Sequence, residues 1–230
     1  MLHAHLLNLP GLVPYADALA LQRSLAEAVK AGERPDTVLL LEHEPVVTLG
    51  RRTQETELHL PGSVEVDVVE TDRGGKSTYH GPGQLVCYPI VDLNRHGRDL
   101  HRYVRDLEEA IIRTLGRFDL VGRRIDGLTG VWLTGPPRKI ASIGVHASRW
   151  VTTHGYALNV DLDPAPFTEW ITACGLEDAS FTAMAAELGR PLAVDDVRGA
   201  AAEAVSEVFS LALDELDAEA AEPPRPVAAG

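Results

Sequence analysis

The segment from Arg73 to Leu85 constrains the fold most, because it crowds four glycines, two cations and a histidine into one short connection. Glycine is favoured where φ is positive or where the backbone must closely approach another group. Two glycine pairs around charged and hydroxyl side chains therefore predict a loop that wraps a ligand. The alternative is a hairpin loop rich in turn formers, which is the commoner meaning of a Gly/Pro cluster. We call residues 73–85 the glycine-rich segment.

Two nucleotide-binding motifs are excluded from this segment. Gly75-Lys-Ser77 ends like a Walker A loop, but that loop needs a glycine where Glu70 stands, and a carboxylate repels phosphate. Gly81-Pro-Gly83 begins like a dinucleotide fingerprint, yet its third glycine would fall at Val86, inside an apolar run. The segment leads into a strand and not a helix, so it does not predict a nucleotide held at a helix N-terminus.

Composition narrows the class of protein further. The formal net charge of −13 over 230 residues argues against a general nucleic-acid binder. No apolar run is long enough for a membrane span, and the first ten residues lack the pattern of a secretory signal, so we expect a cytoplasmic protein that does not bind membranes. The two cysteines, Cys87 and Cys174, lie in dissimilar surroundings and predict no disulfide. The histidines lack the spacing of a closed zinc site, so no metal is expected.

Strands and helices alternate irregularly along the chain, without a repeating βαβ unit. Hydrophobic periodicity predicts strands near residues 2–9, 37–41, 46–49, 64–68, 85–91, 130–133, 139–145 and 151–160, and helices near 14–31, 99–115, 164–171, 181–188 and 195–213. We therefore predict one α+β domain, residues 1–213, with a mixed β-sheet flanked by α-helices. Residues 214–230 are acidic and then Pro/Ala-rich, which predicts a disordered tail.

Several of these elements carry more specific expectations. Asp99 is predicted to cap the helix that follows it. Alternation of Val64, Val66 and Val68 with acidic residues predicts a strand with its valines buried. Cys87 is expected to be a buried small hydrophobe. Pro89, within the same apolar run, predicts an edge strand or a bulge.

The candidate nucleophile is Cys174, although a structural role is commoner for a lone cysteine. It follows a predicted short helix whose C-terminal end carries partial negative charge, which disfavours a thiolate, so a base would have to assist it. Lys139 opens an apolar strand, where burial disfavours the charged ammonium. His80 and His154 each adjoin a glycine at the mouth of a strand. These residues alone do not decide among the three bases.

Four segments, taken in order and spacing, resemble the lipoyl(octanoyl) transferases. They are residues 73–84, 139–144, 154–159 and 173–175, and the likeness extends from about residue 39 to residue 188. The resemblance implies an α+β domain akin to biotin and lipoate protein ligases, with an acyl tunnel leading to the active site. It implies that Cys174 is the acyl-thioester nucleophile and that Lys139 activates it. It also implies a set of substrate-binding residues: Arg73, Gly74, Gly75, Lys76, Ser77, Thr78, Tyr79, His80, Ser142, Ile143, Gly144, Gly155, Tyr156 and Ala157.

The resemblance also implies the reaction and its partners. An octanoyl group would pass from the phosphopantetheine of acyl carrier protein, through Cys174, to a lysine of a lipoyl domain. The acceptors would be the lipoyl domains of 2-oxoacid dehydrogenase complexes and the glycine cleavage H protein, and the enzyme, expected to be a monomer, would need neither metal nor ATP as cofactor. The rival hypotheses are an ATP-dependent lipoate or biotin ligase and a non-catalytic acyl-binding protein.

Two positions depart from the family pattern, and the negative net charge of the chain is unfavourable for binding acidic partners. Ala173 stands where the family usually has proline, and Ser77 where it commonly has an apolar residue. Because acyl carrier proteins and lipoyl domains are acidic, a local surplus of cations should surround the docking face. We expect this basic rim to comprise Arg51, Arg52, Arg73, Lys76, Arg138 and Arg149.

Overall fold

The computed structural model describes residues 1–172 and 180–217. Its strands are β1 (Leu2–Val13), β2 (Asp36–His43), β3 (Val46–Leu49), β4 (Asp67–Glu70), β5 (Thr78–His80), β6 (Gln84–Ile90), β7 (Gly122–Ile125), β8 (Leu128–Leu133), β9 (Arg138–Ser148), β10 (Val151–Asn159), β11 (Ser180–Phe181) and β12 (Leu211–Leu216). Its α-helices are α1 (Tyr15–Ala31), α2 (Leu100–Gly116), α3 (Pro166–Glu169), α4 (Met184–Leu188) and α5 (Asp195–Phe209), and Glu55–Glu57 form a 3₁₀ turn.

A large mixed sheet organises the molecule. Its strand order is β12-β1-β2-β6-β10-β9-β8-β7, and β11 pairs in parallel with the start of β9. Strand β1 runs parallel to both β12 and β2, whereas β2, β6, β10, β9, β8 and β7 pair in antiparallel fashion. A smaller sheet has the order β4-β3-β5. The predicted α+β architecture with a mixed sheet is confirmed.

Helices cover both faces of the large sheet because the strands carry apolar side chains on both sides. Tyr103 and Leu107 of α2 share one buried cluster with Val205 of α5. On the opposite face, Leu25 and Val29 of α1 pack into a second cluster with residues of β2, β6 and β10. Among the residues described, no helix is long and apolar enough to cross a membrane.

The amphipathic helix α2 shows how directly sequence determines local structure. The side chain of Asp99 accepts hydrogen bonds from the backbone N–H groups of His101 and Arg102, at 2.9 and 3.1 Å, so the predicted N-cap is confirmed. Glu109 and Arg113, four residues apart, form an ion pair on the outer face of the helix at 3.1 Å. Cys87 is fully buried, as expected.

The C-terminal elements differ from the prediction. The last helix ends at Phe209 instead of continuing to Leu213, because Ser210 adopts the left-handed conformation with φ 54°. The chain then forms β12, which pairs with β1 from Leu2 to Leu7. The predicted boundary at residue 213 therefore falls inside a paired strand, and the expectation of disorder is wrong for residues 214–216. Residues 218–230 lie outside the described part of the chain.

Two further strand predictions need correction. The strand near residues 64–68 begins only at Asp67, and Val68 is 40% exposed while Val69 packs inward. Pro89 does not mark an edge strand, because β6 lies between β2 and β10. Its pairing with β10 covers residues 84–87 and resumes at the bridge between Asp92 and Val151. The interruption accommodates the missing N–H of proline within the sheet.

Candidate active site

A cavity of about 250 Å³ lies against β8, β9 and β10, closed on its other side by the glycine-rich segment. Thirteen of the residues predicted to act in catalysis or binding line it: Arg73, Gly75, Lys76, Ser77, Thr78, His80, Lys139, Ser142, Ile143, Gly144, Gly155, Tyr156 and Ala157. The fold thus brings together residues that stand up to 84 positions apart in sequence, from 73 to 157.

Three predicted residues are not among those that line the cavity. The backbone N–H of Gly74 donates to the carbonyl of Val145 at 2.9 Å, so this glycine joins the segment to β9. Tyr79 faces the other side of the small sheet and packs edge-on against Phe167 and Trp170. Cys174 lies outside the described residues.

Arg73 holds the glycine-rich segment in place from within. Its side chain is 6% exposed, and its guanidinium donates to the carbonyl and hydroxyl oxygens of Thr48 at 2.7 and 2.8 Å and to the carbonyl of Lys76 at 2.7 Å. A Cβ on Gly50 would lie 2.5 Å from the carbonyl oxygen of Gly75, which explains why a glycine follows β3. The expectation that Arg73 belongs to a solvent-exposed basic rim is wrong.

Three of the other cations in the expected basic rim form ion pairs with carboxylates. Lys76 pairs with Glu57, Arg138 with Glu187 at 2.8 Å, and Arg149 with Glu27 at 2.9 Å. Arg51 and Arg52 are exposed, and Arg52 also lines the cavity.

Lys139 lies at one end of the cavity with its side chain enclosed, 3% exposed. Its Nζ lies 5.6 Å from the centre of the Trp132 ring, on the neighbouring strand β8. Gly130, with φ 121°, leaves room for this amine, because a Cβ there would lie 2.8 Å from Cε and 3.4 Å from Nζ of Lys139. The backbone N–H of Gly130 donates at 3.3 Å to the buried carboxylate of Glu108.

The chain on either side of Cys174 is fixed beside this cavity. Before it, the backbone N–H of Thr172 donates to the carbonyl of Glu57 at 2.9 Å, and the side chain of Glu57 pairs with the cavity residue Lys76. After it, Phe181 stands opposite Lys139 in the pairing of β11 with β9. Both described ends of the segment 173–179 are therefore attached to residues of the cavity or to their direct partners.

The other end of the cavity is lined by the polar side chains of His80, Tyr15 and Tyr88. Burial, then the charges of His43 and Arg73, hold the pKa of His80 well below its usual value. Burial raises the pKa of Tyr15 to about 12 and holds the pKa of Tyr88 well above its usual value. His80 contacts the side-chain oxygen of Gln84 at 2.7 Å and stacks on Tyr15. These groups are consequently neutral near pH 7.

His154, considered from sequence as a possible base, is held by Asp72. Its Nε2 lies 2.8 Å from a carboxylate oxygen of Asp72. Burial lowers the pKa of His154 and outweighs the opposing influence of that carboxylate. His154 is paired with Val145 of β9, which is six residues along that strand from Lys139. Among the described residues, Lys139 is the candidate base that lies directly opposite β11, the strand that follows the segment 173–179.

Burial of His43 predicts an acid-sensitive fold. Its ring nitrogens contact the carbonyl of Val13 at 2.9 Å and the hydroxyl of Tyr88 at 2.8 Å, and burial lowers its pKa from 6.5 to about 4. Between these values the unfolded chain binds more protons, so the free energy of unfolding should fall by about 3 kcal/mol as pH drops from 6.5 to 4. Urea unfolding at several pH values measures this loss. His43→Gln should be less stable at pH 7 but lose less stability on acidification; an equal loss in both proteins would contradict the assignment.

Some cavity residues were not foreseen as site residues. Tyr88 and Trp132 lie inside apolar runs that predict buried strands, and nothing in their local pattern distinguishes a cavity wall from a core. Tyr15, at the start of α1, contributes through tertiary packing alone. Within residues 1–172 and 180–217, no group of three or more His, Cys, Asp or Glu side chains is arranged to hold a metal ion.

Solved structures similar to this chain define its fold class. A bipartite lipoate protein ligase from Thermoplasma acidophilum superposes with a TM-score of 0.70 at 17% identity, covering 96% of this chain and 91% of that one. Biotin protein ligase from Aquifex aeolicus, in complex with biotin and ATP, gives a TM-score of 0.57 at 14% identity, covering 90% of this chain and 70% of that one. The fold is therefore that of the biotin and lipoate protein ligases, as predicted.

Sequence comparison identifies the family within this fold. The lipoyl protein ligase A/B catalytic domain matches residues 14–206. An octanoyltransferase from Geobacter metallireducens is 48% identical over 205 residues, 89% of this chain and 92% of the relative. An octanoyltransferase from Mycobacterium leprae is 51% identical over 216 residues, 91% of each. The chain belongs to the lipoyl protein ligase A/B catalytic domain family, and within it to the acyltransferases of the lipoyl(octanoyl) transferase type.

Proposed function

We propose that this protein transfers an octanoyl group from acyl carrier protein to a lysine of a lipoyl domain through a thioester on Cys174. The observation that carries the proposal is the enclosure of Lys139 in a cavity to which both described ends of the Cys174 segment are attached. A buried amine beside a thiol can exchange a proton with it, as nucleophilic catalysis by cysteine requires.

In the first half of the reaction, Lys139 accepts the proton of the Cys174 thiol, and the thiolate attacks the carbonyl carbon of the octanoyl thioester. The carbonyl π electrons move to oxygen. Collapse of this intermediate breaks the bond to the phosphopantetheine sulfur, which leaves with the proton held by Lys139. The acyl group is then bound to Cys174, and the carrier departs as a free thiol.

In the second half, the amine of the acceptor lysine attacks the Cys174 thioester. Lys139 accepts a proton from the attacking amine and passes it to the Cys174 sulfur, which is released as a thiol when the C–S bond breaks and the amide forms. Exchange of one thioester for another is nearly balanced, and formation of an amide from a thioester is downhill. The reaction therefore needs neither ATP nor a metal ion.

The cavity walls suit an acyl chain extending away from Lys139. Gly144 of β9 stands five residues from Lys139 and is paired with Gly155 of β10, which places this pair about 17 Å along the strand. Ser142, Ile143, Tyr156 and Ala157 line the space between. The two glycines let the backbone pack closely at this end of the cavity, because a Cβ on Gly144 would lie 3.0 Å from the carbonyl oxygen of Gly74 and one on Gly155 would overlap the carbonyl oxygen of Cys87. The neutral side chains of His80 and Tyr88 line the same end.

Transfer without ATP tests the proposal directly. Purified protein, octanoyl-acyl carrier protein and a lipoyl domain should yield octanoylated domain in the absence of ATP, whereas free octanoate should be inert with or without ATP. Modification that requires ATP and free octanoate would instead establish a ligase. Tight retention of the acyl group with no transfer would establish an acyl-binding protein.

Carrier docking should depend on Arg52, which is exposed at the cavity. Arg52→Glu should raise the KM for octanoyl-acyl carrier protein roughly tenfold at low salt, and less at high salt, because reversing a rim charge mainly slows association with an acidic partner. Arg113→Glu is the matched control, since it makes the same change in net charge on the outer face of α2, at a residue that does not line the cavity. Steady-state kinetics at two ionic strengths measure the difference; equal KM values for both variants would contradict this docking face.

A further inference from the structure

Trp132 has a buried hydrogen-bond donor without an acceptor in the described part of the chain. The residue is 2% exposed and lines the cavity. Its indole Nε1 is shielded from solvent, and among the residues that the structure describes none accepts a hydrogen bond from it. An indole N–H can only donate, so its natural partner is an oxygen acceptor. Because buried donors are almost always paired in folded proteins, this N–H points to an acceptor supplied by a ligand.

A β-bulge at Ile140 of β9 shifts the pairing of β8 with β9 beside Trp132. Val131 stands opposite Ala141 in the pairing of β8 with β9, but Trp132 stands opposite Lys139, so the register shifts by one residue between them. Bulges of this kind re-aim a side chain and are common beside active sites. Here the shift makes Trp132 the direct cross-strand neighbour of Lys139, whose Nζ lies 5.6 Å from the ring centre.

The carboxylate of Glu108 fixes the start of β8, two residues before Trp132. The N–H of Gly130 donates to Glu108, and Glu108 also accepts from Arg105 at 2.7 Å and from Arg124 at 3.1 Å. This carboxylate is buried on α2, so the start of β8 is fixed to the helix behind it. The orientation of Trp132 is therefore a feature of the fold.

We propose that the indole N–H of Trp132 donates a hydrogen bond to the carbonyl oxygen of the acyl thioester and strengthens it as that oxygen becomes an oxyanion. Trp132 would then be a catalytic residue in both halves of the reaction, because each passes through a tetrahedral intermediate on the same carbonyl carbon. The inference rests on the proposed function, and it adds the donor that stabilises the negative charge while Lys139 moves the proton.

Two ligands that differ only at the carbonyl test this assignment. The chain has three tryptophans, so its ¹H–¹⁵N correlation spectrum should contain three indole cross-peaks, and Trp132→Phe identifies the one that belongs to Trp132. In the full-length Cys174→Ala protein, S-octanoyl-pantetheine should shift this peak downfield. S-octyl-pantetheine, which keeps the chain and the amides but lacks the thioester carbonyl, should not.

The outcomes separate this inference from the function on which it rests. If both ligands perturb cavity resonances but move the Trp132 indole peak equally, the hydrogen bond to the thioester carbonyl is refuted while the acyl site stands. If neither ligand binds, the proposed function fails and the inference fails with it.

Kinetics supply a second readout. Trp132→Phe should lower the rate of Cys174 acylation roughly 100-fold with little change in KM, as expected for loss of one oxyanion donor. Trp150→Phe is the matched control, because Trp150 lies at the turn between β9 and β10 and contacts Arg98 instead of the cavity. A Trp132→Phe protein as fast as the Trp150→Phe protein would overturn the proposal.

Discussion

Replacement of Lys139 by methionine should lower the rate of octanoyl transfer by roughly 10²- to 10⁴-fold, the range expected for loss of a general acid–base group. Methionine preserves much of the volume and the unbranched shape of lysine but cannot accept a proton. Since the side chain of Lys139 is 3% exposed, water has little access to substitute for it. Single-turnover transfer from octanoyl-acyl carrier protein measures the effect.

A second substitution distinguishes the loss of proton transfer from the loss of a positive charge at position 139. Lys139→Arg retains a cation, yet arginine does not deprotonate in proteins and cannot act as a base. It should therefore fail as completely as methionine, provided that circular dichroism shows both variants folded. Activity within tenfold of wild type in either protein would show that Lys139 does not carry the proton, and His80 and His154 would become the bases to examine.

The largest stability effect is expected for Gly155→Ala. A Cβ at this position would overlap the carbonyl oxygen of Cys87 and lie 2.9 Å from Cδ of Pro89. Both obstacles belong to β6, a strand paired on both sides in the middle of the sheet, so neither can move away cheaply. Overpacking of this kind should cost about 3 kcal/mol of unfolding free energy. Urea denaturation measures the loss.

Gly199→Ala provides the control for this substitution. Gly199 lies inside α5, and a Cβ there would meet nothing within 4 Å. Alanine should therefore stabilise the protein by about 0.5–1 kcal/mol, because glycine is the poorer helix former. If Gly155→Ala were as stable as Gly199→Ala, the close approach of β6 and β10 would be refuted.

Sequence predicted best the elements whose signals are local. Helix α2 has both a polar cap at Asp99 and an apolar stripe, and those two signals determine its start and its buried face. Strands β9 and β10 are long apolar runs, and they form where predicted. In each case the local sequence signals favour the same element that the tertiary packing requires, so the predicted element forms.

Elements that depend on distant partners could not be predicted in this way. Strand β12 follows a helix without the glycine that usually signals a helix end, since Ser210 takes the left-handed conformation instead. Its parallel partner β1 lies at the other end of the sequence, and no local pattern encodes that pairing. The helix was therefore predicted to continue to Leu213.

The candidate site also combines features that the local sequence predicts with features that depend on distant parts of the chain. The glycine-rich segment was predicted to surround a ligand, but its residues 78–80 form a short strand, so alternate side chains face opposite ways. Thr78 and His80 thus line the cavity while Tyr79 packs against α3. Arg73 carries a charge that predicts exposure, and only the surrounding acceptors in the folded chain explain its burial.

Intact mass spectrometry after incubation with octanoyl-acyl carrier protein, without ATP, tests most directly the claim that Cys174 carries the acyl group. The wild-type protein should gain one octanoyl group that hydroxylamine removes and that passes to an added lipoyl domain. Cys174→Ser should gain no hydroxylamine-labile thioester. An unmodified wild-type protein, with octanoylated domain formed only when ATP and free octanoate are supplied, would contradict the covalent transferase mechanism.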